Sequence, residues 1–133
     1  MDFSDVMNRL NTEDRFSAVN NMKLVTVNEG FAEAELAVSD NSMNSLNVIQ
    51  GGAIYTLADF AFSGAANANR ERRRFIGSAA SINYIRPGTG SKLKAVAQTV
   101  HAGRRTCVCT VNVLNEQEKI VATATFQGVL VEK

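Results

Sequence analysis

Asp59 stands within Gln50-Gly51-Gly52-Ala53-Ile54-Tyr55-Thr56-Leu57-Ala58-Asp59-Phe60-Ala61-Phe62, and from Gly52 to Ala66 this segment is almost wholly apolar or small. Burying a lone carboxylate in such a run disfavours its charged form and raises its pKa. A chain that keeps it there is expected to use it. The plain alternative is a structural carboxylate bonded to nearby backbone or to Thr56. Gln50-Gly51-Gly52 stands where a helix is predicted to start. The first N–H groups of a helix lack intrahelical partners, and the dipole there is positive. Glycine has no Cβ to keep a ligand away. Such an end can polarise a carbonyl and stabilise an oxyanion; the glycines can also simply fit a tight loop-to-helix junction. Asp59 lies eight residues beyond Gly51, or ~12 Å along the axis at ~1.5 Å per residue. One carbonyl cannot touch both groups on one helix. If both act, they come from different subunits, and a two-fold dimer with antiparallel helices would form two equivalent shared sites.

Other chemistry is less well supported. His101, Cys107 and Cys109 match no closed zinc spacing and lack a fourth ligand, so no metal is expected. A single histidine also argues against serine or cysteine hydrolase chemistry, which needs a histidine base beside the nucleophile. The arginines at 72, 73, 74, 104 and 105 have the planar fork that matches phosphate oxygens, although each also reads as part of a solvated loop.

The elements must position these groups. Residues 3–10 suit a short helix capped by Asp2 or Ser4, with Phe3, Val6, Met7 and Leu10 on one face. Strands are predicted at 22–27 and 31–38 around the turn Asn28-Glu29-Gly30, followed by a polar loop from Ser39 to Asn47. The one long helix runs from Gly51 to about Asn69, apolar on all sides and therefore buried on most of them. Four strand-like segments follow, at 75–86, 92–102, 106–114 and 120–131, with connections short enough for antiparallel neighbours. The fold class is α+β: one long helix against a strongly curved antiparallel sheet. Phe60 and Phe62 read as core or dimer contacts rather than a substrate box, and Tyr55 as core packing or, alternatively, as the lining of a substrate pocket. One sheet face covers only one side of the helix, so dimerisation is expected to cover the rest.

The 133 residues read as one domain, 1–133, with 1–19 as an N-terminal helical segment. With 45% hydrophobic and 20% charged residues and a net charge of +1, neither a nucleic acid nor a membrane surface is an expected partner. No apolar run approaches the ~18 residues of a membrane span. The opening Met1-Asp2-Phe3-Ser4-Asp5 is acidic, unlike a signal peptide. Cys107 and Cys109, two apart on one strand face, are expected as reduced thiols, and the expected location is cytoplasmic.

Asn44, then Gln50-Gly51-Gly52, then Leu57-Ala58-Asp59, then Tyr84-Ile85-Arg86-Pro87-Gly88 together resemble the hotdog-fold acyl-CoA thioesterases of the phenylacetate-degradation (PaaI-like) type, across about residues 20–130. The resemblance implies a sheet wrapped around the central helix, and a homodimer paired again into a tetramer. It also implies an acyl-CoA substrate, aryl or alkyl and small to medium in size, without any separate cofactor. By position, Asp59 matches the catalytic acid, acting as general base for water or as nucleophile. Gly51 matches the glycine whose N–H polarises the carbonyl, helped by Gln50, and Asn44 the loop asparagine that positions water. Ser78 and Ser81 are the candidates for a hydroxyl on the strand after the helix. Arg104 and Arg105, in a turn where relatives carry basic residues, are the favoured phosphate contacts, with Arg74 beside them. The commonest motif of the family begins with histidine where this chain has Gln50. That departure motivates a second reading, a non-catalytic acyl-CoA-binding protein of the same fold. A hotdog dehydratase would need a histidine near the acid, and His101 lies on a distant segment; a purely structural dimer would bind no CoA.

Overall fold

The computed structural model describes residues 2–132. Two short helices, α1 (Ser4–Glu13) and α2 (Arg15–Val19), precede the hairpin of β1 (Met22–Asn28) and β2 (Phe31–Ala37). A 3-10 turn at Asp40–Ser42 leads to the long helix α3 (Gly51–Asn67). Four strands complete the chain: β3 (Arg73–Tyr84), β4 (Lys92–Ala102), β5 (Thr106–Leu114) and β6 (Ile120–Glu132). They form one six-stranded antiparallel sheet in the order β1-β2-β4-β5-β6-β3. The expected α+β hotdog arrangement, a sheet packed on one central helix, is what the structure shows.

The first helix runs a turn further than expected. Asp2 does assist its start, accepting from the Ser4 N–H at 2.9 Å and the Ser4 hydroxyl at 2.6 Å. Asp14 ends α1 and caps α2 by accepting the Ser17 N–H at 3.0 Å. The larger correction concerns topology. The short connection after β3 does not make β3 and β4 neighbours. β3 lies at the sheet edge against β6, while β4 pairs with β2. Gly88 in this connection is buried and donates no space to a side chain: a Cβ there would lie 3.1 Å from Ile49 Cβ and 3.4 Å from Ile54 Cδ1. The chain thus crosses close by the first turn of α3 on its way from the edge to the middle of the sheet.

Helix α3 supplies the centre of the core. Leu57, Phe60, Ala61 and Phe62 are buried against Leu24, Leu36, Leu93, Val111, Val113, Val121 and Phe126 from the sheet. A Cβ on Gly64 would stand 2.9 Å from both Ala32 Cβ and Leu24 Cδ2, so the helix can approach β1 and β2 this closely only without a side chain there. Alternation is clean on β5, where Cys107, Cys109, Val111 and Val113 all point inward. It fails on β3, where Ile76 to Ala80 are all exposed and only Phe75 is buried. That strand has a ladder on one side only, and it forms one wall of the site described next.

Candidate active site

Asp59 sits in the middle of α3, part-buried, facing a cavity of about 300 Å³ lined by Tyr55, Asp59, Ile76, Gly77, Ser78, Ala79, Ala80 and Phe126. Burial, with the Asp14 carboxylate as a second cause, holds its pKa above the ordinary carboxylate value. Among the described residues no group donates a hydrogen bond to it. The Thr56 hydroxyl donates instead to the Gly52 carbonyl at 2.8 Å, so the structural alternative of a Thr56-bonded carboxylate is not what the structure shows. A partly desolvated carboxylate with free lone pairs is a base in search of a proton.

The opposite wall is shaped by small residues on β3. A Cβ on Gly77 would lie 3.5 Å from Asp59 Oδ1, so the bare glycine leaves that oxygen approachable. The pairing of β3 with β6 slips between Gly77 and Ala79, which makes Ser78 the extra residue of a β-bulge. Ser78 consequently lines the cavity, its hydroxyl donating to the Gln127 carbonyl at 3.3 Å. Ser81 does not reach it. It pairs with exposed Thr125, whereas the neighbouring pairs Ala80–Phe126 and Ile82–Ala124 carry the inward face. Tyr55, for which the sequence favours packing over pocket lining, is 38% exposed and forms the aromatic side of the cavity with Phe126, their ring centroids 5.4 Å apart. Phe62 stacks behind Phe126 at 5.3 Å.

The start of α3 is a separate feature. Gln50 is the N-cap, and its Oε1 accepts the Gly52 N–H at 2.8 Å. Among the described residues nothing accepts the Gly51 N–H, which stays available to a ligand. Tyr84, at the end of β3, donates its hydroxyl to the Gly51 carbonyl at 3.1 Å, and its ring lies 3.4 Å from where a Gly51 Cβ would stand. Asn44 Oδ1 accepts from the N–H groups of Leu46 at 2.9 Å and Val48 at 3.2 Å, which fixes the loop before the helix and leaves its amide nitrogen unpartnered among the described residues. Asn44 thus belongs to the loop that leads into the helix start, where Gln50 and Gly51 stand. None of them lines the Asp59 cavity. The residues expected to act together thus lie at two separate places in the chain.

The arginines divide. Arg74 is engaged: it donates to the Glu71 carbonyl at 2.7 Å and to Glu13 at 2.9 Å, with its side chain only 18% exposed. It fastens α1 to the start of β3, so the expected phosphate role meets a structural clamp instead. Arg104 and Arg105 are exposed in the β4–β5 turn, with no side-chain partner among the described residues. The Arg105 carbonyl accepts from Leu130 N–H at 2.8 Å, which places this turn beside β6, close to where β3 begins.

A larger hollow of about 510 Å³ lies at the C-terminal end of α3, bounded by residues such as Ala66, Arg70, Phe75, Gln98 and Cys107, and shares no lining residue with the Asp59 cavity. Burial pushes the Cys107 thiol in its wall up to about 11, which keeps it in the less nucleophilic protonated form at neutral pH. Both cysteines are buried and free, and the described residues contain no His/Cys/Asp/Glu group suited to a metal ion. No helix among the described residues is long and apolar enough to cross a membrane.

Residues 46–122, from just before Gln50 to β6, match the thioesterase superfamily. The acyl-coenzyme A thioesterase PaaI of Escherichia coli (strain K12) is 35% identical over 106 residues, spanning 79% of this chain and 73% of the relative. The solved structure of the E. coli PaaI protein from the phenylacetic acid degradation operon superposes with a TM-score of 0.90 at 27% identity, covering 97% of this chain and 93% of that one. A Streptococcus mutans protein solved with bound acetyl CoA gives a TM-score of 0.77 at 30% identity, covering 85% of this chain and 90% of that one.

Proposed function

This chain belongs to the thioesterase superfamily and is a thioester hydrolase, and from that premise we propose that it hydrolyses acyl-CoA thioesters to acid and free CoA, with Asp59 as the acting carboxylate. The observation that carries this reading is the unpartnered, part-buried Asp59 opposite the bare Gly77 in a cavity large enough for a small acyl group. Similarity to the E. coli acyl-CoA thioesterase and to a protein solved with acetyl CoA supports the substrate class. The aromatic wall of Tyr55 and Phe126 suits an aryl or a short alkyl acyl group.

The chemistry follows from the charges. Asp59 takes a proton from water as the water oxygen bonds to the thioester carbon. The carbonyl oxygen becomes an oxyanion, and the Gly51 N–H of the partner subunit stabilises it at the positive end of α3. The carbon–sulfur bond then breaks, and the CoA thiolate leaves and takes up the proton. Attack by Asp59 itself would form a mixed anhydride first, and if water then opens it at the Asp59 carbonyl carbon, single turnover in ¹⁸O-labelled water puts label into the Asp59 carboxylate, which the general-base route never does. Gln50 supplies no titratable group; its oxygen caps the helix, and its amide N–H₂ can assist Gly51. Asn44 offers its free amide to the water. Arg104 and Arg105 supply exposed cations for the CoA phosphates. In the dimer of this reading, repeated into a tetramer, each site joins Asp59 of one subunit to the helix start of the other. A cytoplasmic location fits the reduced cysteines.

The test is CoA release from acetyl-CoA and phenylacetyl-CoA by wild type and Asp59→Asn. Loss of a general base predicts a fall in kcat of about 10²–10⁴-fold. Equal rates in the two proteins would sink the mechanism.

A further inference from the structure

Ser17, Ser42 and Asn67 are the buried polar side chains among the described residues, and Asn67, at 2% exposure, is the largest of them. It occupies the last turn of α3 and faces the start of β3. Its Nδ2 donates to the Phe75 carbonyl at 3.0 Å, and its Oδ1 accepts the Phe75 N–H at 2.7 Å. One side chain thus makes the two hydrogen bonds that a neighbouring strand would make with one residue. Among the described residues of the chain, β3 has β6 on one side and no strand on the other. At Phe75 the unpaired edge is therefore satisfied by the helix itself, through an amide whose donor and acceptor are both used.

The position of this clamp matters. Phe75 is two residues before Gly77, whose missing Cβ leaves Asp59 Oδ1 approachable, and three before the bulge residue Ser78. Asn67 is two turns beyond Asp59 on the same helix. The clamp therefore joins the two elements that form the facing walls of the cavity. We propose that Asn67 is a positioning residue for the reaction: by pairing with the Phe75 backbone it holds the edge of β3 against α3, so that the Gly77–Ser78 bulge keeps its place opposite Asp59. The proposal rests on the reading of Asp59 as the group that acts on the thioester.

Asparagine is the side chain this geometry requires. Leucine has nearly the same shape but makes neither bond, and it strands the Phe75 N–H and C=O. An aspartate carboxylate can accept the N–H but has no proton for the carbonyl. The test compares wild type, Asn67→Leu, Asn67→Asp and Asp59→Asn on phenylacetyl-CoA. Thermal melting identifies the folded variants, and hydrogen exchange is followed at the Phe75 and Gly77 amides. In folded Asn67→Leu we expect kcat to fall by about ten-fold or more with KM within about two-fold, because misplacing a reacting group by roughly 1 Å acts on the chemical step. Asn67→Asp should lose less, and both amides should exchange faster in each variant. A merely structural asparagine would lower the melting temperature and leave kcat per folded molecule unchanged. An unchanged kcat in either folded variant, with Asp59→Asn inactive, overturns the proposal. If Asn67→Leu does not fold, Asn67→Asp decides by the same criterion. If Asp59→Asn turns over like wild type, the reading of Asp59 fails, and the proposal falls with it for a different and visible reason.

Discussion

Asp59 is held above the ordinary carboxylate pKa because burial penalises its charge, with the Asp14 carboxylate as a second cause, and among the described residues no donor offsets the penalty. Two measurements follow. In the proposed role of base it must be ionised, so kcat/KM should fall on the acid side with a midpoint above that of an exposed aspartate, and Asp59→Asn should abolish that limb. The stability effect has the opposite sense. A folded-state pKa raised above the unfolded value adds stability below the unfolded pKa and loses it as pH rises through the folded pKa. At neutral pH Asp59→Asn should therefore melt a few degrees higher than wild type, and the gap should close as the pH is lowered into the carboxylate range. This residue was legible in the sequence because its neighbours alone foretold burial. Ser81 and Arg74 were not. One bulge at Ser78 determines which serine faces inward, and no local pattern announces a bulge. The partner of Arg74 is Glu13, 61 positions away. Asn67 was missed for a related reason: near a helix end an asparagine reads as a terminator, and its pairing with Phe75 exists only once β3 is in place.

At the scale of elements, α3 and the strands at 92–102 and 106–114 were readable from apolar periodicity and turn residues, with ends matching those observed within two residues. Strand order was not. A short connection suggests adjacent strands, yet the segment through Gly88 passes the first turn of α3, bonding Ile49 N–H at 2.9 Å, before β4 enters mid-sheet. Gln50 shows how an element can reassign a residue. Its place in the motif suggested assistance to Gly51, while in the structure its oxygen is occupied with the Gly52 N–H. Gln50→Ala should thus destabilise by about 0.5–1 kcal/mol through loss of the cap. Gln50→Ser, a shorter and better cap, should restore the melting temperature. If the Gln50 amide also assists the carbonyl, the serine variant will recover stability without recovering kcat, and comparing the two quantities separates the roles.

At the scale of the whole molecule, the proposed reading requires a second copy to bring a helix start to Asp59, and that requirement can be tested. Gly51 does not line the Asp59 cavity, and among the described residues β3 presents an edge without a strand beside it, with Ile76, Tyr84 and, just past its end, Ile85 all at least half exposed. A second copy pairing along that edge would continue the sheet, cover those side chains and bring one helix start towards the other Asp59. Complementation tests the sharing directly. Gly51→Pro removes the N–H while preserving the helix, since proline suits the first helical position and Gln50, at φ −60° and ψ 134°, already has the backbone that a residue before proline needs. Alone, Gly51→Pro and Asp59→Asn should each be nearly inactive. Co-expressed in equal amounts with different tags, half of the dimers will be mixed. If sites are shared, each mixed dimer has one site with both lesions and one with neither. The mixture should then recover about a quarter of wild-type activity, and the purified mixed dimer about half. If each site is built within a single subunit, every site in the mixture carries one lesion, and activity stays at the level of the parent variants. Because the outcome depends on geometry rather than on the size of either defect, it decides the arrangement even if each single variant keeps a few per cent of its rate.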